Sequence, residues 1–215
     1  MSGLRAVLFD MDGTLVDTEH TWVDVVEEVA ARHGHALGEE QRSAVYGRAV
    51  EDTAELLHSA LGVQVEALNA ELHRDFAARL AGGAPPRPGA LRLLAELRAC
   101  GIPTALVSAS PRAVVRRVAG TLDGHRFDAV YGAEDTARTK PAPDPYRAAA
   151  AALGAAPGLC VAVEDTVTGV ASAEAAGCRV LVVPSVEPIA PAAGRTVLTS
   201  LEEADLTLLR SLVGS

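Results

Sequence analysis

Residues 6–18 read Ala-Val-Leu-Phe-Asp-Met-Asp-Gly-Thr-Leu-Val-Asp-Thr, and this stretch decides the fold. An apolar run typical of a buried strand ends on Asp10 and Asp12, and a glycine follows. Two carboxylates this close raise each other's pKa unless a cation or a proton lies between them. The usual cation is Mg²⁺, because it prefers a few carboxylates together with phosphate oxygens. An Asp-Gly turn after an edge strand is the alternative for the fragment alone.

The composition of the 215-residue chain narrows the class of protein. The length suits one α/β domain, or a core with a small inserted domain. Hydrophobic residues make up 49% of the sequence but aromatic residues only 3%, so we expect a core of Ala, Val and Leu. The net charge of −9 argues against nucleic acid as a partner. An anionic substrate would have to be attracted locally, by a metal ion and a few basic side chains.

The cysteines and the apolar runs indicate the compartment. Cys100, Cys160 and Cys178 lack metal-ligand spacing, and the last two lie in apolar, strand-like surroundings. This pattern indicates that the cysteines act as small buried hydrophobic residues and that the protein lies in a reducing compartment. The first strand begins within a few residues of the N-terminus, and no apolar run is long enough to cross a membrane. These features predict a cytoplasmic protein without a membrane partner.

A helical block interrupts the chain after its first strand. The strand is predicted over 5–9, and helical periodicity then begins at Trp22. The predicted helices of the block lie after residue 18 and near 39–46, 51–60 and 65–80. The Gly/Pro-rich run 81–88 reads as a linker. We therefore expect a core formed by 1–17 and 87–215, with an inserted all-helical cap over 18–86.

From residue 88 onward, strands and helices alternate. The predicted strands are short apolar runs at 103–108, 129–131, 159–163, 179–183 and 196–198. The predicted helices lie at 89–99, 112–119, 145–153, 168–176 and 202–209. Apolar strands spaced by helices indicate an α/β fold with a parallel sheet that is covered on both faces. In such sheets, ligands bind beyond the carboxyl ends of the strands.

Polar residues with complementary chemistry stand at those carboxyl ends or in nearby loops. They are Asp10, Asp12, Ser108, Lys140, Glu164 and Asp165. Together they supply a carboxylate nucleophile, a second carboxylate for proton transfer, a hydroxyl donor, a cation and acidic metal ligands. This set suits phosphoryl transfer through an aspartyl-phosphate. Taken singly, Ser108 is also typical of a helix cap, for which Ser110 competes, and Lys140 of a solvated loop.

In this order the residues resemble haloacid dehalogenase-like hydrolases that carry a helical cap after the first strand. Residues 10–18 fit the family's first motif, Ser108 the second, 140–144 the third, and 164–177 the fourth. The resemblance covers essentially the full length. It implies a Rossmann-like core and a Mg²⁺-dependent phosphatase acting on a small phosphorylated metabolite, of the sugar phosphate or phosphoglycolate type.

The resemblance also implies a catalytic role for individual residues. Asp10 would attack phosphorus and become phosphorylated. Asp12 would protonate the leaving oxygen and then activate the hydrolytic water. Ser108 and the backbone N–H of Ala109 would hold phosphate oxygens, and Lys140 would neutralise both the phosphate and Asp10.

The same resemblance implies a set of metal ligands. Mg²⁺ would be bound by Asp10, by the backbone carbonyl of Asp12 and by Asp165. Glu164 would lie behind these ligands or coordinate through a water.

The helical cap is expected, from the resemblance, to close over the strand ends and to contact the substrate through residues 46–53. Arg48 is the candidate for contacting an anionic or hydroxylated substrate, and a solvated arginine beside Glu51 and Asp52 is the alternative. Trp22 is expected in the cap's own core rather than in the active-site cavity.

Other functions remain open at this point. A β-phosphoglucomutase-like mutase shares the core motifs, but the mutases that resemble this chain carry histidine at Trp22 and arginine at Val50. A dehalogenase needs no metal, so Asp12 and the acidic pair at 164–165 would have no use. A non-catalytic phosphate-binding regulator would be expected to lose Asp10 or Lys140, and this chain keeps both. The substrate does not follow from the sequence, and we expect a monomer or weak dimer.

Overall fold

The computed structural model describes residues 3–46, 48, 50–185 and 187–214. The chain forms two compact units, one from residues 1–16 and 85–215 and the other from residues 17–84. Within the described ranges, no helix combines the length and the apolar character needed to cross a bilayer.

The larger unit is built around a parallel sheet of six strands in the described part of the chain. The strands are β1 (Ala6–Phe9), β2 (Thr104–Val107), β3 (Ala129–Tyr131), β4 (Cys160–Glu164), β5 (Arg179–Val182) and β6 (Arg195–Val197). Their order in the sheet is β3-β2-β1-β4-β5-β6, and every pairing is parallel. The strand order reverses between β1 and β4, and ligands bind at such a reversal.

The smaller unit is helical and has its own apolar core. Its helices are α1 (Thr18–Arg32), α2 (Glu39–Val45), α3 (Val50–Leu61) and α4 (Val65–Ala81). Trp22 packs edge-to-face against Phe76, with the ring centroids 5.2 Å apart, and belongs to a cluster with Val26, Leu57 and Leu72. The prediction that Trp22 lies in the core of the helical block is therefore confirmed.

Five described helices accompany the sheet of the larger unit. They are α5 (Ala90–Ala99), α6 (Arg112–Ala119), α7 (Asp144–Ala152), α8 (Val167–Ala176) and α9 (Leu206–Val213). The buried apolar residues of the described chain are mostly Ala, Val and Leu, which confirms the expected composition of the core. Cys160 and Cys178 are buried and not in a disulfide, also as expected. The Rossmann-like parallel α/β fold predicted from the sequence is confirmed.

The bounds predicted for the last helix, 202–209, are wrong by several residues. A 3₁₀ turn covers Leu201–Glu203, and α9 begins only at Leu206. Two side-chain caps separate these elements. Ser200 accepts a hydrogen bond from the Glu202 N–H, and Asp205 accepts one from the Leu208 N–H at 2.7 Å. Glu202 and Glu203, at the predicted start of the helix, belong to the preceding turn.

The start of α7 also differs from the prediction of a helix over 145–153. Asp144 is the first helical residue, and Pro143 occupies the cap position. The Asp144 carboxylate is instead engaged by Arg138 at 2.8 Å.

Candidate active site

One lysine joins the acidic side chains at the carboxyl ends of β1 and β4. Asp10 directly follows β1, and Glu164 is the last residue of β4. The Lys140 Nζ lies 2.6 Å from Asp10 Oδ1 and 2.6 Å from Glu164 Oε1. The Lys140 side chain is only 5% exposed, so two buried carboxylates share one buried ammonium.

A third carboxylate completes the acidic cluster. Ligand oxygens of Asp10, Glu164 and Asp165 lie within 4.8 Å of one another. Thr14 and Ser185 donate hydroxyl hydrogen bonds to the two oxygens of Asp165, at 3.1 and 2.5 Å. In contrast, Asp10 Oδ2 is buried and has no hydrogen-bond partner among the described residues. An unpartnered buried carboxylate oxygen is costly, so the cluster is arranged for a cation or a substrate that supplies the missing partner.

The titration behaviour of the cluster follows from its burial. Burial raises the pKa of Asp10 well above its usual range, Lys140 lowers it, and the neighbouring carboxylates raise it further. Burial also raises the pKa of Asp165 to about 7, against the hydrogen bond from Ser185. Burial would lower the pKa of Lys140, but Asp10 and Glu164 together raise it. With every group ionised, the three carboxylates carry three negative charges, and the Lys140 ammonium neutralises one of them. A divalent cation would neutralise the remaining two.

Two glycines allow the backbone to approach these carboxylates. Gly13 has a φ of +78°, and a Cβ there would lie 2.1 Å from Asp165 Oδ2. A Cβ on Gly169 would lie 2.0 Å from Glu164 Oε2. Any larger residue at either position would displace a carboxylate of the cluster.

Asp12 belongs to a different set of contacts. Its Oδ2 accepts hydrogen bonds from the Ser108 hydroxyl at 2.9 Å and from the Ser110 hydroxyl at 2.8 Å. The Ser110 N–H in turn donates to Ser108 Oγ at 2.9 Å. Asp12 is half-buried, whereas Asp10 is buried. The alternative reading of Ser108 or Ser110 as the cap of α6 is wrong, because Pro111 occupies that position without a side-chain bond.

Several residues of the site were not predicted from the sequence. They are Thr14, Ser110, Tyr146 and Ser185, each of which hydrogen-bonds to a carboxylate of the site. Thr14 lies inside the Asp-Gly-Thr run and Ser110 two residues after Ser108, so both had a local signal. Tyr146 is one aromatic residue in an alanine-rich helix, which favours a core position. Ser185 carries no local signal.

For two residues predicted to contact the substrate, Arg48 and Ala109, the structure gives only the local surroundings. Arg48 is exposed, and its Nε donates to the backbone carbonyl of Ala44 at 2.8 Å. Gly47 and Ala49, on either side of it, lie outside the described residues. Ala109 follows Ser108 and is exposed. Substrate contact by Arg48 and by the Ala109 N–H stays a prediction.

With this geometry in place, comparison with known proteins assigns the family. The model of the haloacid dehalogenase-like hydrolases matches residues 4–177. The chain belongs to this family. The match includes both acidic strand ends and the lysine loop.

Its relatives include phosphatases of small metabolites. Hexitol phosphatase A of Escherichia coli (strain K12) is 37% identical over 188 residues, which are 83% of this chain and 82% of that protein. The bifunctional riboflavin kinase/FMN phosphatase of Arabidopsis thaliana is 31% identical over 183 residues, 83% of this chain. This chain spans about half of that longer protein, 48% of its length.

A solved structure of similar fold contains a sugar phosphate. It is a variant of CbbY from Rhodobacter sphaeroides in complex with xylulose-1,5-bisphosphate. The two structures superpose with a TM-score of 0.72 at 27% identity, over 96% of this chain and 99% of the other.

Proposed function

We propose that this protein is a Mg²⁺-dependent phosphatase that hydrolyses a small phosphorylated metabolite through an aspartyl-phosphate on Asp10. The observation that carries the proposal is the convergence of Asp10, Lys140, Glu164 and Asp165 on one buried spot. There Asp10 keeps one oxygen without a partner among the described residues. A nucleophile needs such a free oxygen, and a buried acidic cluster needs a cation.

The donor set fits Mg²⁺, which prefers oxygen ligands and few carboxylates. Asp10, Asp165 and the backbone carbonyl of Asp12 would hold the ion. Glu164 would lie behind them, since Lys140 and Tyr146 already use its Oε1. When bound, Mg²⁺ supplies the positive charge that lets a phosphate dianion approach Asp10 and stabilises charge in the transition state.

The two aspartates divide the chemistry. A bond forms between an Asp10 oxygen and phosphorus as the bond from phosphorus to the leaving oxygen breaks, and Asp12 gives its proton to that oxygen. Asp12 then takes a proton from a water, whose oxygen bonds to phosphorus as the Asp10–phosphorus bond breaks. Asp12 suits this exchange because it is half-buried beside hydroxyl groups, whereas Asp10 is buried.

Lys140 and Ser108 position the phosphate. A lysine ammonium has three N–H donors, and Lys140 directs two of them at Asp10 and Glu164. The third is left for a phosphate oxygen. The Ser108 hydroxyl and the Ala109 N–H would hold the remaining oxygens at the end of β2.

The substrate class is proposed from the relatives. One acts on hexitol phosphates by its name, and a CbbY structure holds a pentulose bisphosphate. We therefore favour a sugar or sugar-alcohol phosphate, with Arg48 of the helical unit contributing to its recognition. The mutase alternative is less favoured, because Trp22 is packed in the core of the helical unit where resembling mutases carry histidine.

The test is hydrolysis of p-nitrophenyl phosphate with Mg²⁺ and with EDTA, followed by a panel of phosphorylated metabolites ranked by kcat/KM. We expect turnover with Mg²⁺, loss in EDTA, and recovery when excess Mg²⁺ is added. Turnover that persists in EDTA contradicts the metal assignment. A folded protein that hydrolyses nothing on the panel contradicts the proposed function.

A further inference from the structure

Tyr146 is a buried phenol that contacts the site from the core side. It lies in α7 and is fully buried in the apolar cluster that includes Leu8, Ala105 and Ala162. A phenol in such surroundings needs a hydrogen-bond partner. Its hydroxyl donates to Glu164 Oε1 at 2.5 Å. Burial and the neighbouring carboxylates raise the pKa of Tyr146 well above its usual range, so the hydroxyl stays a donor.

This hydrogen bond determines which way Glu164 faces. Glu164 Oε1 accepts from Tyr146 at 2.5 Å and from Lys140 at 2.6 Å, which uses both of its lone pairs. Within the described part of the chain, Glu164 Oε2 accepts a single hydrogen bond, from the Asp165 N–H at 3.3 Å, and it lies against Gly169. Without the phenol hydroxyl, Glu164 Oε1 would keep the hydrogen bond from Lys140 alone. The Glu164 carboxylate would then be free to rotate toward the Lys140 ammonium.

The ring of Tyr146 touches the same ion pair from a second direction. The Lys140 Nζ lies 5.2 Å from the ring centroid, within the range of a cation–π contact. Tyr146 thus holds the carboxylate through its hydroxyl and the ammonium through its ring face. A change from tyrosine to phenylalanine removes the first contact and keeps the second.

We propose that Tyr146 is a positioning residue: its hydroxyl fixes Glu164, and Glu164 fixes the Lys140 ammonium where it meets both Asp10 and the phosphate. The proposal rests on the proposed function, in which Lys140 binds phosphate. Among the described residues, Tyr146 contacts Glu164 and Lys140 and makes no hydrogen bond to Asp10 or Asp165, the proposed metal ligands. Its effect must therefore pass through Glu164 and Lys140.

The experiment compares Tyr146→Phe with Tyr131→Phe, which removes a partly buried phenol hydroxyl from the same core. The Tyr131 hydroxyl donates to the backbone carbonyl of Ala148 at 3.2 Å, away from the carboxylates. Calorimetry with inorganic phosphate gives Kd for the Mg²⁺-loaded proteins. We expect Tyr146→Phe to raise this Kd, and the KM for p-nitrophenyl phosphate, about tenfold, as for one lost hydrogen bond to a charged group. Tyr131→Phe should change neither.

A double-mutant cycle with Glu164→Ala separates positioning from a general effect on folding. Because Kd is a property of the folded molecules, partial unfolding lowers kcat but leaves Kd in place. If Tyr146 acts through Glu164, the Tyr146→Phe change should add little to Kd once Glu164 is gone. An unchanged Kd in Tyr146→Phe overturns the proposal, and so does an equal rise in both backgrounds.

The outcome also separates this proposal from the function on which it rests. A wild-type protein that binds phosphate but hydrolyses nothing defeats the phosphatase assignment, while the Kd values still decide the role of Tyr146. A wild-type protein that binds no phosphate overturns both.

Discussion

Asp10 and Asp12 are two residues apart in the chain, yet they occupy opposite environments. Asp10 is buried, shares Lys140 with Glu164 and keeps one oxygen without a described partner. Asp12 is half-buried, and two serine hydroxyls donate to one of its oxygens. Two neighbouring carboxylates can take different catalytic roles because their different environments move their pKa values apart. The buried one suits metal binding and nucleophilic attack, and the more accessible one suits proton exchange with the leaving group and water.

The largest expected effect comes from removing the nucleophile. Asp10→Asn keeps the shape of the side chain but lacks a carboxylate that can attack phosphorus. We expect kcat for p-nitrophenyl phosphate to fall by more than about 10⁴-fold, as for the loss of an enzyme nucleophile. The melting temperature should stay close to that of the wild type, because Lys140 keeps Glu164 as a partner. Substantial turnover by this variant would show that Asp10 is not the nucleophile.

A smaller loss is expected at the second aspartate. Asp12→Ala removes the proton donor but keeps the backbone carbonyl proposed as a metal ligand. We expect kcat to fall roughly 10²- to 10⁴-fold, the usual contribution of general acid–base catalysis. The Kd for inorganic phosphate should stay within a few-fold of the wild type. An unchanged kcat would show that Asp12 is not the general acid and base, and that the two aspartates do not have the different roles proposed here.

The smallest effect concerns the packing behind the acidic cluster. Gly13→Ala places a Cβ 2.1 Å from Asp165 Oδ2, at a φ of +78°. Gly34→Ala is the matched control, because Gly34 has the same φ of +78° and nothing within 4 Å of its Cβ position. Both should lose about 1–2 kcal/mol of stability from the left-handed backbone.

Only Gly13→Ala should also weaken Mg²⁺ binding, because only there does the new methyl group push Asp165 out of place. Titration of phosphatase activity with Mg²⁺ measures this, and we expect roughly a tenfold higher half-saturating concentration, the scale seen when a metal ligand loses its orientation. Equal Mg²⁺ dependence in the two variants would show that Asp165 is not a ligand.

The sequence predicted the parts of the fold and site that follow from strand periodicity. Asp10, Ser108 and Asp165 stand where apolar strands end, and parallel strands place those ends at one edge of the sheet. The role of Lys140 was predicted from the order of the motifs, because a lysine in a loop has no periodic signal of its own. The supporting hydrogen bonds could not be derived in this way.

The unpredicted residues depend on packing between distant elements. Tyr146 reaches Glu164 across 18 residues from a helix face, and Ser185 reaches Asp165 across 20 residues from the loop after β5. A single sequence carries no pattern for such pairs. The start of α9 was missed for a local reason, because Asp205 rather than the preceding acidic turn caps that helix.

A crystal structure of the protein soaked with Mg²⁺ and a phosphate mimic tests the proposed metal and phosphate site directly. If the proposed function is right, a cation is bound by Asp10, Asp165 and the Asp12 carbonyl, and the mimic faces Asp10 and is held by Lys140 and Ser108. A cation bound elsewhere, or carboxylates that turn away from an empty centre, would contradict it.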